Sequence, residues 1–227
     1  MGCRGEMRIA IDGPAGAGKS TIARSLAARL KALYIDTGAM YRALTLKAKE
    51  AGVSADDEAG LTKLLEETEI RLFSTGEGSE RVVMDGRDVT EAIRHPDISR
   101  LVSIVSKHPR VREIMVNRQR KMAEEGDVVM DGRDIGTVVL PYADLKIFLT
   151  ASIQERAMRR YRELWEKGHS PNLSQLEEEI KKRDRLDAER SHSPLKKAED
   201  AILVDTTHLT IQEVVDRLYS LCKNGKG

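Results

Sequence analysis

Two patterns alternate along the chain. Short runs of adjacent apolar residues predict strands, and stretches in which apolar positions recur every three or four residues predict helices. The strands are expected at Arg8–Asp12, Leu33–Asp36, Val128–Asp131, Leu145–Leu149 and Ile202–Asp205, several of them followed by a helical pattern. That alternation implies an α/β fold with a parallel sheet covered by helices on both faces. The first helix buries a stripe at Ala23, Leu26, Ala27 and Leu30, with Arg24 and Arg29 off it. Later helical patterns run over Ser152–Lys167, ending at Gly168, and over Ser174–Arg190, with the Pro171-Asn172 break between them.

The gap of about ninety residues between Asp36 and Val128 is far longer than a helical crossover requires. It predicts an inserted lobe. Within it, Ile70–Asp88 holds two β-rich segments around the turn Ser74-Thr75-Gly76-Glu77-Gly78.

Composition narrows the class. At 227 residues, 40% apolar and 33% charged, the chain suits one core with an inserted lobe. Thirty-eight basic against 37 acidic residues leave a net charge of +1, so no global field favours a nucleic-acid polymer or an anionic membrane. Cys3 and Cys222 stand near opposite ends with no CxxC spacing, no run of 18 apolar residues occurs, and Glu6 takes the place where a myristoylation motif needs Ser or Thr. A cytoplasmic protein is expected, with residues 1–6 and 223–227 as disordered ends.

The stretch Gly13-Pro14-Ala15-Gly16-Ala17-Gly18-Lys19-Ser20-Thr21 satisfies G-x-x-x-x-G-K-[ST] between a predicted strand and a predicted helix. Such a loop turns successive N–H groups toward phosphates and adds the positive end of the helix dipole. Lys19 is expected on the β/γ-phosphates of ATP and the Ser20 hydroxyl on Mg²⁺. A phosphate loop does not name a reaction, but the guanine-reading N-K-x-D pattern is absent.

Arginines supply the next clue. Strand two ends in Asp36-Thr37-Gly38-Ala39-Met40-Tyr41-Arg42, where Thr37 can cap a helix that aims Arg42 at the phosphate loop. An octapeptide nearly repeats, at Val82–Val89 and Val128–Ile135, each holding M-D-G-R-D. Only the second copy lies on a core strand, so Asp131, Arg133 and Asp134 are taken for the site, and the equivalent Asp85, Arg87 and Asp88 for a turn. Arg183, Asp187 and Arg190 share one helix face, as do Arg156, Arg159 and Arg160. Spacing alone favours solvated salt-bridge rows, which are common on helices.

Together these blocks resemble bacterial cytidylate kinases: I-D-G-P-A-G-A-G-K-S-T at 11–21, D-T-G-A-M-Y-R at 36–42, P-R-V-R at 109–112, D-G-R-D-I-G-T-V-V at 131–139, K-I-F-L at 146–149 and R-D-R-L-D-A-E-R at 183–190. The resemblance spans roughly residues 7–220. It implies a P-loop three-layer fold whose five-stranded sheet has the order 2-3-1-4-5, with a core of 7–36, 119–155 and 173–222, a monophosphate-binding lobe at 37–118 and a short lid at 156–172. It further implies ATP-dependent phosphorylation of cytidine or deoxycytidine monophosphate by a monomer, with Mg²⁺. Arg42, Arg133 and Arg190 would hold the acceptor phosphate, with Thr37 beside them. Arg183 and Asp187 would meet its ribose, and Ser103, Arg112 and Asp134 its base. Lys19 and Arg133, with Arg156, Arg159 and Arg160 arriving from the lid, would carry catalysis. Alternatives are a P-loop kinase for uridylate or adenylate, or a nucleotide-dependent switch.

Overall fold

The structure is a computed structural model that describes residues 6–74 and 80–224. From the N-terminus it runs β1 (Arg8–Asp12), α1 (Lys19–Leu30), β2 (Leu33–Asp36), α2 (Thr37–Glu50) and α3 (Glu58–Glu67). Three short strands follow, β3 (Ile70–Ser74), β4 (Glu80–Met84) and β5 (Arg87–Asp88), then α4 (Pro96–Val105) and α5 (Pro109–Met122). The chain closes with β6 (Val128–Gly132), β7 (Leu145–Thr150), α6 (Ile153–Glu166), α7 (Leu173–Glu189), β8 (Ile202–Asp205) and α8 (Ile211–Asn224).

All five core strands form where the apolar runs place them, in one parallel sheet of order β2-β6-β1-β7-β8. Counting core strands alone, that is the expected 2-3-1-4-5. Alternation along β1 sorts the core: Ile9 and Ile11 pack with Leu26, Val214 and Leu218 of α1 and α8, and Ala10 packs on the other face with Ile35, Val116, Met130 and Ile135. The register pairs Asp12 with Gly132 and Asp36 with Asp131, so three strands end at one level. Everything that follows them therefore emerges at one edge of the sheet.

The long insertion is a lobe with cores of its own. One face of α2 packs Met40, Tyr41 and Leu44 against Leu61, Leu65, Val102 and Met115, and another packs Ala39, Ala43 and Leu46 against Val82, Met84 and Ile98. Its antiparallel sheet has the order β3-β4-β5. Here the first octapeptide copy makes a two-residue turn at Asp85 (φ 50°) and Gly86 (φ 79°). Lys47 pairs with Asp85 at 2.8 Å and Arg87 with Glu50 at 2.7 Å, so this copy serves the lobe's surface. From position 75 the turn expected around Ser74–Gly78 lies outside the described residues.

Between α6 and α7, Gly168 takes φ 78° and the Asn172 side chain caps α7 by accepting from Gln175 N at 3.0 Å. Ala157, Leu164, Leu176 and Ile180 bind the two helices together. Two local expectations are corrected. Lys223 and Asn224, taken for a disordered end, continue α8, because Leu218 and Cys222 bury its last turns against the core. Thr37 does not cap α2, because it is already the first helical residue: the Asp36 carboxylate one position earlier caps it, accepting from Ala39 N at 2.9 Å, which leaves the Thr37 hydroxyl to donate to Asp131 O at 2.8 Å.

Candidate active site

The phosphate loop joins β1 to α1 at the sheet's C-terminal edge. Its first glycine is obligatory: a Cβ on Gly13, at φ 150°, would stand 2.0 Å from the carbonyl oxygen of Leu149 in β7. The first helical bond runs from Ile22 N to Gly18 O, so the N–H groups of Lys19, Ser20 and Thr21 have no carbonyl partner within the helix. Lys19 is buried and donates to Pro14 O at 2.8 Å. Burial, then the Arg133 and Arg183 guanidinium groups, push its ammonium well below the ordinary lysine range. Ser20 donates to Asp131 Oδ2 at 3.0 Å, while Tyr34 holds the other oxygen at 2.8 Å. Thr21 is exposed on the helix flank.

Beside the loop, β6 and α7 bring arginines together. Arg133 Nε donates to Asp187 Oδ2 at 2.9 Å, and the Asp187 carboxyl, which burial pushes up, is nonetheless held below its usual range by Arg133, Arg183 and Arg190. Arg183 is the stressed member. Burial first, then Arg133, lower its guanidinium to about 9, and its buried Nε has no hydrogen-bond partner among the described residues. Arg42 also presses on Arg183 electrostatically and lies 4.0 Å from Asp36. Arg42, Arg133, Arg183 and Lys19 thus share one space with Asp36, Asp131, Asp184 and Asp187, and burial still leaves the Lys19 and Arg183 charges disfavoured. Such an arrangement fits an anionic ligand better than it fits a folded core.

A second buried group adjoins it. Asp134 forms an ion pair with Arg112, both side chains under 8% exposed, and lies 3.8 Å from Arg190. Arg112 also donates to Ser106 O at 3.1 Å, and Ser106 in turn reaches Ser103 O at 3.4 Å, so α4, α5 and the end of β6 converge. Tyr41 lies beneath Arg112, 5.4 Å from guanidinium to ring centre.

The predicted lid arginines differ from one another. Arg156 was expected to arrive on closure but is already buried against the loop: Nε donates to Ala151 O at 3.0 Å, and Nη1 to Ala15 O at 3.0 Å and Asp184 Oδ2 at 2.6 Å. Arg159 has all three nitrogens engaged, by Glu155 and by the hydroxyl and carbonyl of Thr206. Among the described residues Arg160 pairs only with Glu163, at 2.7 Å, one turn along its own helix.

Several residues of the site were not picked out by sequence reasoning. Asp12 accepts from Ile135 N at 2.8 Å and Gly136 N at 2.7 Å, and burial lifts its carboxyl to about 6. Asp131, which the sequence did single out beside Arg133, is lifted likewise, to about 6, by burial and then by Asp36. Both end core strands, and that position beside a phosphate loop was the legible signal. Asp184 and Tyr41 lay inside quoted motifs. Glu80, from the far end of the inserted lobe, gave no local signal.

Glu80 is 5% exposed, and its Oε1 lies 3.4 Å from Asp36 N. Burial, then the Asp36 charge, raise its carboxyl from 4.5 to about 8. The folded chain therefore keeps a proton that the unfolded chain loses near pH 4.5, so this group's stabilisation is full below that pH and is lost progressively up to about 8. Thermal scans should show Glu80→Gln losing less melting temperature than the wild type between pH 5 and pH 8, by several degrees at about 2–4 °C per kcal/mol. Parallel curves would remove Glu80 from that role.

Comparison with known proteins joins these observations. The sequence model of the cytidylate kinase family matches residues 9–224. Cytidylate kinase of Bacillus pumilus (strain SAFR-032) is 57% identical over 213 residues, 94% of each chain. That of Bacillus subtilis (strain 168) is 56% identical over 213 residues, 94% of this chain and 95% of the relative. Among solved structures, an uncharacterized protein from Eubacterium ventriosum superposes with a TM-score of 0.52 at 14% identity, covering 96% of this chain and 99% of that one, which supports the fold alone.

Proposed function

The chain belongs to the cytidylate kinase family, and from that premise we propose that it transfers the γ-phosphoryl group of ATP to cytidine or deoxycytidine monophosphate, giving the diphosphate and ADP. It is a nucleoside monophosphate kinase. The observation that carries the two-nucleotide reading is the cation cluster: Arg133, itself held charged by Asp187, lowers both Lys19 and Arg183 beside a phosphate loop. One triphosphate does not need a second buried set of arginines, whereas an acceptor phosphate does.

In this reading Gly13–Thr21 cradle the donor, with Lys19 on its terminal phosphates. Arg42, Arg133 and Arg190 hold the acceptor phosphate near Thr37. Arg183 and Asp187 take the ribose, and Ser103, Arg112 and Asp134 the base. The acceptor phosphate is already an anionic nucleophile at neutral pH, so no general base is needed. Catalysis then consists of holding two anions in line and neutralising the charge that develops between them. The Ser20 hydroxyl and Asp131 carboxylate, 3.0 Å apart, are the hard oxygen donors that Mg²⁺ favours. Mg²⁺ held there would neutralise charge on the β- and γ-phosphates. Arg156 and Arg159, with Arg160 farther along α6, cover the donor.

The proposed units are the core of 7–36, 119–155 and 173–222, the lobe of 37–118 and the lid of 156–172, working as a cytoplasmic monomer so that lobe and lid close freely. No helix among the described residues is long and apolar enough to cross a membrane.

The test is a coupled assay of ADP release with ATP and Mg²⁺, comparing the cytidine, deoxycytidine, uridine, adenosine and guanosine monophosphates. A strong preference for the cytidine pair is expected. Activity with a purine acceptor alone would overturn the base assignment, and release independent of any acceptor would favour a nucleotide switch.

A further inference from the structure

Arg156 is held in an unusual way for a residue that has to meet phosphate. Its side chain is 6% exposed and pinned at three points: to Ala151 O where β7 ends, to Ala15 O within the phosphate loop, and to Asp184 Oδ2 on α7. It also lies hard against the loop, where a Cβ on Gly16 would stand 3.0 Å from Arg156 Cβ. All three pins use Nε and Nη1. Among the described residues no acceptor bonds Nη2, and that nitrogen is not sealed from solvent. One edge of the guanidinium is therefore fixed and the other left available at the loop.

Two of the three pins are neutral carbonyls. Asp184 is the only charged one, and at 2.6 Å it is the charge-assisted bond that sets the plane of the group. Its second oxygen, Oδ1, is buried without a hydrogen-bond partner among the described residues. A carboxylate left half-satisfied at a loop junction costs stability, so packing alone does not account for it. Asp184 itself stands on α7, between Arg183 and the turn that carries Asp187.

We propose that Asp184 is a positioning residue for phosphoryl transfer: it fixes the Arg156 guanidinium across the phosphate loop, with Nη2 turned to the donor's terminal phosphates, and ties that setting to the helix that carries the acceptor-binding residues. This rests on the kinase reading above. The role predicts an effect on turnover rather than on acceptor binding, because the group that Asp184 orients acts where charge develops between the two nucleotides.

The experiment is a double-mutant cycle with Asp184→Asn and Arg156→Ala, measuring kcat, the KM for cytidine monophosphate and the melting temperature of each variant. Asp184→Asn should lower kcat by up to about a hundredfold, the scale of a small misplacement of a catalytic group, with little change in acceptor KM. The double variant should be no slower than Arg156→Ala alone. Losses that multiply, or an unchanged kcat with only a lowered melting temperature, would overturn the proposal. If Asp184→Asn does not fold, Asp184→Glu replaces it, keeping the charge but displacing it by one carbon, with the same two criteria. A wild-type chain with no acceptor-dependent ADP release would instead overturn the kinase reading, so the two failures are distinct.

Discussion

Replacing Lys19 with methionine should lower turnover about a thousandfold, the scale at which one charge-stabilising group contributes, while leaving the melting temperature unchanged or higher. The first half follows from position: Lys19 opens α1 beneath the phosphate loop and is the cation of the P-loop motif. The second half follows from its surroundings. The ammonium is buried, has a single neutral hydrogen-bond acceptor among the described residues in Pro14 O, and burial with Arg133 and Arg183 outweighs the support of Asp131 and Asp187. A buried charge so placed costs stability, and an apolar side chain of similar length removes that cost. A coupled ADP-release assay and a thermal scan on the same preparation read both halves. A methionine variant that keeps even a tenth of the wild-type turnover would displace Lys19 from the transfer step. A large fall in melting temperature would show that its charge is structurally compensated after all.

The second large effect is expected at Asp134. Its carboxylate lies between Arg112 and Arg190, with the Arg112 pair buried on both sides. A carboxylate accepts from the exocyclic amine of cytosine and repels the oxygen that uracil carries at the same place, whereas an amide offers both a donor and an acceptor. Asp134→Asn should therefore shift the ratio of kcat/KM for cytidine over uridine monophosphate by about a hundredfold toward uridine, since an acceptor-to-donor change in a buried site discriminates strongly. The variant should also melt lower, because Arg112 loses its buried counter-charge. The ratio is insensitive to how much enzyme is folded, so it separates recognition from stability. An unchanged ratio would sink the base-reading role of Asp134 and leave it as the anchor of Arg112.

Strands and phosphate loop were legible because each is written locally, whereas the strand order came only with the family resemblance. The five apolar runs, the glycine spacing at Gly13–Gly18 and the stripe at Ala23, Leu26, Ala27 and Leu30 need only a short window of sequence to be read. The blocks D-G-R-D and R-D-R-L-D-A-E-R likewise announced residues that the fold brings together, with Arg133 and Asp187 hydrogen-bonded at 2.9 Å. What was not legible depended on distant partners. Glu80 meets Asp36 across 44 positions of sequence, and nothing near either residue foretells the other. Arg156 looked like a free lid arm because the carbonyl that receives it, Ala15 O, lies 141 positions away. The octapeptide copies make the same point most directly. Met-Asp-Gly-Arg-Asp turns back on itself at Asp85 and Gly86, so that β4 pairs antiparallel with its own continuation β5, yet runs straight to the end of β6 at Asp131 and Gly132, where the distant strands β1 and β2 already pair with it in parallel.

The crowding of Lys19, Arg133 and Arg183 also bears on how long the protein lasts. Burial and the Arg133 guanidinium disfavour the charges of Lys19 and Arg183, and a bound phosphate would offset that. Ligand that binds only the folded chain adds about 2.7 kcal/mol at a hundred times its dissociation constant. The folded population is thereby coupled to nucleotide supply: a well-fed cell protects its own enzyme, and a starved one exposes it to unfolding and turnover.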